Sequence, residues 1–247
     1  GVAAAGSLFV LSSRSSRPIE AVAAAAGPWW YQVYVLRDRG LTREHVQRAA
    51  AAGARALVLT VDAPYVATKR RVSGSLPVVD DEARQVAVGF RSVDREQDPS
   101  IGWDVLPWLG DLSGLPVVVK GVLHPEDATQ CVRAGAAGVI VSNHGGRQLD
   151  RAVSTARALG PVVRAVDGRV PVLVDGGIRS GADVLTALAL GARAVMVGRP
   201  LLWGLSVGGA EGVRSCLENY RSALAEAMAL AGLRTLAEVD ADLLIAG

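Results

Sequence analysis

The feature of this sequence that most restricts its fold is a series of short apolar runs separated by helical patterns. Each run is almost continuously apolar rather than alternating, which is typical of parallel strands that are buried on both faces. The runs predict strands at residues 8–11, 29–36, 56–61, 116–119, 138–141, 171–174 and 194–197.

The segments between these strands carry Ala and Leu at spacings of three and four residues, which predict helices. We predict them at residues 42–52, with Thr42 as the N-cap, and at residues 125–134, 153–166 and 182–190. The chain has 247 residues, 50% of them hydrophobic, so it can bury one large core. Strands that alternate with helices make a parallel sheet, and this many units favour a closed (β/α) barrel.

Two regions interrupt the alternation. Residues 64–114 contain no clear strand–helix unit, and we interpret them as a long loop insertion that ends in a short helix near residues 103–109. Long loops on barrels are commonly lids or substrate walls. The tail predicts an amphipathic helix at residues 212–231 and a second, short helix at residues 235–244.

Composition argues against several classes of partner. The formal net charge is +2, and no basic run is interleaved with aromatic residues, so we expect no binding of nucleic acid. Cys131 and Cys216 lie in separate helical patterns, which provide neither a disulfide framework nor a metal spacing and suit a reducing, cytoplasmic location. No apolar run has the length and composition of a membrane span. A homo-oligomer is compatible with the sequence.

The candidate functional residues lie where the predicted strands end, because barrel active sites are built at the C-terminal ends of the strands. The run at residues 138–141 is followed by His144, a candidate base, and by Arg147, a candidate clamp for a carboxylate. A satisfied turn histidine and a surface arginine are the alternative interpretation. Ser142 precedes His144 and Arg147 at the same strand end, and polar residues at the other strand ends are Ser12, Ser13, Gln32, Tyr34, Thr60, Asp62 and Lys120.

A phosphate site is predicted after the last two strands. Residues 175–181 read Asp-Gly-Gly-Ile-Arg-Ser-Gly and open a helix, and residues 197–200 read Val-Gly-Arg-Pro. Glycines expose backbone N–H groups, a helix N-terminus adds its dipole, and Arg179 and Arg199 add positive charge. Tight turns without a ligand are the alternative.

Two further charged residues have candidate roles. Lys120 at a barrel mouth can neutralise charge that develops during a reaction, unless it is only a salt-bridged rim lysine. Asp62 can hold a protonated His144, since a carboxylate partner raises the basicity of imidazole.

The motif at residues 142–150, Ser-Asn-His-Gly-Gly-Arg-Gln-Leu-Asp, resembles the active-site signature of the FMN-dependent α-hydroxy-acid oxidase and dehydrogenase family. Members of that family include glycolate oxidase, lactate oxidase, mandelate dehydrogenase and hydroxymandelate oxidase. Supporting motifs in matching order are found at residues 11–13, 32–34, 60–62, 119–121, 175–179 and 197–200. The resemblance implies a TIM (β/α)8 barrel that binds FMN and oxidises a small-molecule 2-hydroxy acid to the 2-oxo acid.

The resemblance also implies a role for each matching residue. His144 would accept the proton, supported by Asp62; Arg147 would bind the substrate carboxylate, and Tyr34 a substrate oxygen. Lys120 would stabilise the anionic reduced flavin. The remaining flavin contacts would be Ser12, Gln32, Thr60 and Ser142 at the ring, and Asp175, Gly176, Gly177, Ile178, Arg179, Gly198 and Arg199 at the ribityl chain and phosphate.

The chain departs from the family pattern in two places. The Gly-x-Arg after the fourth family strand, whose Arg is a second carboxylate clamp, reads Ala67-Thr68-Lys69 here, and whether Lys69, Arg70 or Arg71 replaces it stays open. The family's first βα unit has no counterpart, so we expect residues 1–247 to form one FMN-binding barrel domain that is incomplete at its N-terminus, with residues 64–114 inserted after the fourth family strand.

Several alternatives stay open. A relative that oxidises a peptide-derived precursor of a redox cofactor would not need the second clamp. A non-catalytic FMN-binding barrel would not need His144, Arg147, Lys120 and Tyr34. The sequence does not identify the 2-hydroxy acid or the electron acceptor, and it does not distinguish hydride from carbanion chemistry.

Overall fold

A computed structural model describes residues 1–64 and 97–244 of the chain. These residues form one parallel sheet of seven strands in which neighbours in sequence are also neighbours in space. The sheet curls into part of a barrel. Its strands are β1 (Phe9–Ser12), β2 (Trp29–Val33), β3 (Leu57–Thr60), β4 (Val117–Val122), β5 (Gly138–Val141), β6 (Val172–Val174) and β7 (Ala194–Val195).

Helices alternate with the strands in the described residues and return the chain to the start of each next strand. They are α1 (Ile19–Ala25), α2 (Arg39–Ala51), α3 (Val105–Ser113), α4 (Pro125–Arg133), α5 (Thr155–Val166), α6 (Gly181–Ala189) and α7 (Arg199–Leu230). The alternating parallel architecture predicted from the apolar runs is therefore confirmed. Helix α1, an alanine-rich segment without a side-chain N-cap, was not predicted.

The predicted strands are present, and their bounds differ most at the end of β4, which continues to Val122, and at the end of β2. The apolar run continues to residue 36, but the strand ends at Val33. Leu36 has left the sheet and forms an isolated antiparallel bridge with Gln97, a residue in the later part of the long loop.

The start of α2 corrects a sequence prediction. The helix begins at Arg39, and Asp38 is its N-cap, because the Asp38 carboxylate accepts hydrogen bonds from the backbone N–H groups of Gly40 and Leu41. Thr42 instead lies one turn inside the helix, where its hydroxyl accepts a hydrogen bond from the N–H of Leu36. The prediction of Thr42 as N-cap is therefore wrong.

The core lies on both faces of the sheet. The larger cluster packs the helices against one face and includes Leu57, Leu59, Val139 and Val141. On the other face, Val58, Val118, Ile140 and Leu173 form a small apolar cluster. Burial on both faces explains why the strands read as continuous apolar runs.

The tail differs in extent from its prediction. Helix α7 is one long element interrupted at Gly208 and Gly209, whose backbone is not helical, and the predicted helix at residues 212–231 is its second part. The predicted short helix at residues 235–244 is replaced by two 3₁₀ turns, Leu236–Glu238 and Ala241–Leu243.

The long loop is described only at its end. Helix α3 agrees with the short helix predicted near residues 103–109. Lys69, Arg70 and Arg71, among which a second carboxylate clamp was sought, lie outside the described residues. Among the described helices, none is long and apolar enough to cross a membrane.

Candidate active site

The C-terminal ends of the first three strands are joined by side-chain hydrogen bonds. The Ser12 hydroxyl donates to Oε1 of Gln32 over 3.2 Å, and Nε2 of Gln32 donates to the hydroxyl of Thr60 over 3.0 Å. The parallel register places these residues on adjacent strands, since Ser12 pairs with Gln32. A row of polar groups therefore lines one edge of the sheet, as we predicted from the residues at the ends of the strands.

Lys120, in the second half of β4, is held by residues that follow β5 and β6. Its ammonium group donates to the hydroxyl of Ser142 over 2.7 Å and lies 2.9 Å from the Asp175 carboxylate. The Ser142 hydroxyl also accepts a hydrogen bond from the backbone N–H of His144 over 3.1 Å. Ser142 thereby ties the lysine to the loop that carries the histidine.

The loop after β5 turns sharply at His144. Three consecutive residues, His144, Gly145 and Gly146, have positive φ angles of 55°, 66° and 72°. A non-glycine residue in this region is uncommon and is held there by its surroundings. Asn143 provides part of that support, because its side chain accepts from the N–H of Gly146 and donates to the carbonyl of Val153.

His144 is paired with Asp62, which follows β3. Nδ1 of His144 lies 3.0 Å from Oδ1 of Asp62, and both side chains are largely buried. Because Nδ1 is engaged with the carboxylate, Nε2 is the ring nitrogen that remains to exchange a proton with another group. The carboxylate therefore fixes the orientation of the ring.

Asp62 packs directly against Gly121, where the register between β4 and β5 shifts. Gly121 has a φ of +112°, and a Cβ built on it would lie 2.6 Å from the Cβ of Asp62. Only glycine therefore fits at this position without moving the partner of His144.

A cavity of about 310 Å³ opens at this end of the sheet, within the size range of small-ligand sites. Thr155, a buried residue at the start of α5, donates a hydrogen bond to the carbonyl of Gly176 over 3.2 Å and so supports one wall. The cavity lining includes Ser12, Gln32, Lys120, His144, Arg147, Asp175, Gly176, Gly177, Ile178, Arg179, Gly198 and Arg199.

The end of this cavity at β6 and β7 is rich in arginine and glycine. Gly176 and Gly177 have φ angles of 83° and 81°, and nothing lies within 4 Å of a Cβ placed on Gly177. Arg179 stacks over the ring of Trp203 at 5.5 Å, and Arg199 donates to the carbonyl of Gly145 over 3.1 Å. Two guanidinium groups beside a glycine turn and a helix start suit a phosphate.

Tyr34 and Thr60 line a second cavity of about 440 Å³ rather than the first. Burial raises the pKa of the Tyr34 hydroxyl, with opposing contributions from the positive charges of Arg14 and Arg147. Tyr34 is therefore a neutral hydrogen-bond donor near pH 7.

Two buried carboxylate oxygens have no hydrogen-bond partner among the described residues: Oδ2 of Asp62 and Oδ1 of Asp175. Buried polar atoms are normally satisfied, so each of these oxygens can still accept a hydrogen bond. No group of three or more His, Cys, Asp or Glu residues in the described part of the chain could hold a metal ion.

The structure adds residues to which the sequence assigned no role. Asn143 and Thr155 support the His144 and Gly176 turns, and Gln148 donates to the backbone carbonyl of Asp62 over 3.5 Å. Asn143 and Gln148 lie inside the signature motif, which was the available signal. Thr155 had no such signal, because its partner is 21 residues away.

Comparisons with known proteins agree with this geometry. The sequence pattern of the family described as FMN-dependent dehydrogenase matches residues 1–246. An L-lactate oxidase from Nostoc sp. is 42% identical over 267 residues, which cover 98% of this chain and 72% of the relative. A peroxisomal (S)-2-hydroxy-acid oxidase from Oryza sativa subsp. japonica is 43% identical, over 96% of this chain and 69% of its own.

The fold has similar solved structures. A crystal structure of mandelate oxidase with benzoyl-formic acid superposes with a TM-score of 0.82 at 41% sequence identity. The match covers 96% of this chain and 68% of that one.

Proposed function

This chain belongs to the FMN-dependent dehydrogenase family, and on that premise we propose that it oxidises a 2-hydroxy acid to the corresponding 2-oxo acid. The observation that carries the proposal is the pair formed by His144 and Asp62 at the cavity that Lys120 and Arg147 also line. In this arrangement His144 is a base oriented by the Asp62 carboxylate, and Arg147 is a cation that can bind the carboxylate of a substrate.

The residues present suit FMN. The unpartnered Oδ1 of Asp175 would accept a hydrogen bond from a ribityl hydroxyl. The Gly176–Gly177 turn, Arg179, Gly198 and Arg199 would hold the phosphate, and Lys120, Ser12, Gln32, Thr60 and Ser142 would hold the ring. Bound FMN supplies the acceptor for the two electrons that the substrate loses.

His144 would take a proton from the substrate through Nε2, since Nδ1 is held by Asp62. The resulting imidazolium would be stabilised by the carboxylate at 3.0 Å. In a carbanion mechanism the proton would come from C2, and in a hydride-transfer mechanism it would come from the hydroxyl group. A base at this position suits both mechanisms.

Arg147 and Tyr34 would orient the substrate. Arg147 is exposed and has a guanidinium fork suited to the substrate carboxylate. Tyr34 stays protonated, because burial raises its pKa, and would donate to a substrate oxygen. Lys120 places a positive charge in the cavity, where it favours the anionic form of a bound ligand.

The non-catalytic alternative is disfavoured by the same pair. A protein that only binds FMN does not need a histidine at a positive φ, such as His144, hydrogen-bonded to the carboxylate of Asp62. The alternative substrate, a peptide-derived precursor, rests on the departure from the family pattern at residues 69–71, which lie outside the described residues.

The test is anaerobic stopped-flow mixing of the FMN-loaded protein with lactate, glycolate and mandelate. At least one should bleach the flavin absorbance and yield the matching 2-oxo acid. His144→Ala should keep FMN but slow this reduction about a hundredfold or more, the scale of a positioned base.

The matched control is His124→Ala. That histidine caps α4, where its Nδ1 accepts from the N–H of Glu126, and it lies outside the cavity lining. It should lose a little stability and keep the reduction rate. Reduction by His144→Ala at the rate of the unmodified protein would remove the proposed base.

A further inference from the structure

Arg14 is an exposed charged residue beside Tyr34 to which no role has been assigned. Its guanidinium carbon lies 5.2 Å from the centre of the Tyr34 ring, within the range of a cation–π contact. Its backbone N–H donates to the hydroxyl of Ser12 over 3.1 Å, and Ser12 in turn lines the cavity. Arg14 is thus attached to the site through both its backbone and its side chain.

The charge of Arg14 has no carboxylate partner in the described part of the chain. Other arginines near the sheet do: Arg39 pairs with Asp98 at 2.9 Å, and Arg48 pairs with Glu20 at 3.0 Å. Arg147 likewise forms no ion pair with a described residue. Two exposed guanidinium groups without an ion-pair partner among the described residues leave positive charge beside the half-buried Tyr34, which an anion can bind.

We propose that Arg14 determines substrate specificity by binding a second, distal carboxylate, so that the preferred substrate is a 2-hydroxy dicarboxylic acid. Arg147 would hold the carboxylate next to the reacting carbon, and Arg14 the one at the far end of the chain. The proposal rests on the proposed function of the same site.

Three observations support this assignment. Both arginines lie close enough to Tyr34 for their charges to oppose the rise in its pKa. Stacking on the ring fixes the plane of the Arg14 guanidinium while its N–H edge stays available to an acceptor. Arg14 is also exposed, so the ligand can reach it.

A matched pair of substrates provides the test. 2-Hydroxyglutarate and 2-hydroxyvalerate share the reacting carbon and chain length and differ in that the distal carboxylate is replaced by a methyl group. The FMN-loaded protein should reduce its flavin with a kcat/KM at least about tenfold higher for 2-hydroxyglutarate, the scale of one charge-assisted hydrogen bond.

The variant test is Arg14→Gln, which removes the charge and keeps a polar side chain of similar reach. It should bring the ratio of the two kcat/KM values close to one, mainly through KM for 2-hydroxyglutarate, and Arg14→Lys should restore part of it. Arg17→Gln is the matched control, because Arg17 is exposed on the same loop and its backbone N–H bonds only to Ser15. It should keep the ratio of the unmodified protein.

The outcomes separate the two proposals. If neither acid, nor lactate, glycolate or mandelate, reduces the flavin, the proposed function fails. If the acids are oxidised with equal kcat/KM, or if Arg14→Gln slows both to the same extent, the distal-carboxylate proposal is overturned while the proposed function stands. An equal loss on both acids would assign Arg14 to the carboxylate that they share.

Discussion

Single hydrogen bonds determine how well the turns of this site are held. Thr155 is 4% exposed, and its hydroxyl supports the carbonyl of Gly176, a residue whose φ of +83° few other residue types adopt. The amide of Asn143 does the same for the turn at His144. Neither side chain needs to touch a ligand to affect binding.

Replacing Thr155 should weaken FMN binding. Thr155→Val keeps the shape of the side chain and loses one hydrogen bond, worth about 0.5–1.5 kcal/mol, so the dissociation constant of FMN should rise roughly three- to tenfold. Thr155→Ser, which keeps the hydroxyl, should bind more tightly than the valine variant. Fluorescence titration of the apoprotein measures both.

Thr129→Val is the control for the Thr155 variants. Its hydroxyl also donates to a carbonyl, that of Pro125, but within α4 and away from the cavity lining. Equal weakening of FMN binding by both valine variants would show that the effect is not specific to the Gly176 turn.

At the scale of elements, the irregularity in β4 makes room for the partner of the histidine. The register shift between Lys120 and Val122 places Gly121 against Asp62. Two consecutive residues of one strand thus serve the site in different ways, since Lys120 enters the cavity and Gly121 leaves space beside it.

Gly121→Ala should therefore damage both catalysis and stability. The added Cβ would fall 2.8 Å from the Cγ of Asp62, at a φ of +112° that alanine rarely adopts. We expect a loss of about 1–3 kcal/mol of folding stability from overpacking and slower flavin reduction, because Asp62 is pushed away from His144. Thermal melting and stopped-flow reduction measure the two effects.

Gly110→Ala in α3 is the matched control for Gly121→Ala. The nearest atom to its added Cβ is 4.0 Å away, and alanine favours a helix over glycine, so stability should be kept or rise slightly. An unchanged reduction rate and melting temperature in Gly121→Ala would contradict the proposed packing.

At the scale of the whole molecule, the cavity is built from strands along the entire sheet. Its lining runs from Val10 on β1 to Leu202 in the first turn of α7. A ligand bound there contacts segments that are distant in sequence, and it should stabilise the folded chain as a unit.

FMN should accordingly raise the melting temperature. At a free concentration one hundred times its dissociation constant, mass action adds about 2.7 kcal/mol. For a chain of this size that corresponds to roughly 5–10 °C, which differential scanning fluorimetry resolves. Riboflavin at the same concentration should give a smaller rise, because it lacks the phosphate for Arg179 and Arg199. Equal rises with FMN and riboflavin would argue against the phosphate site.

The sequence by itself determined the features that depend on local pattern. Burial on both faces forces each strand to be apolar along its length, so all seven strands could be recognised without knowledge of their partners. The glycine turn at residues 175–177 and the motif at residues 142–150 identified the site because its residue types carry their chemistry within a few positions. The prediction failed at Thr42, because Asp38 caps the helix instead and the threonine hydroxyl accepts a hydrogen bond from the N–H of Leu36, six residues earlier.

Only the tertiary structure decided which groups meet. The pairing of His144 with Asp62 spans 82 residues, and that of Arg14 with Tyr34 depends on two neighbouring strands placing their following loops together. The support of Gly176 by Thr155 and the approach of Gly121 to Asp62 likewise follow from strand register. Register is set by the packing of the whole sheet, so no short stretch of sequence contains it.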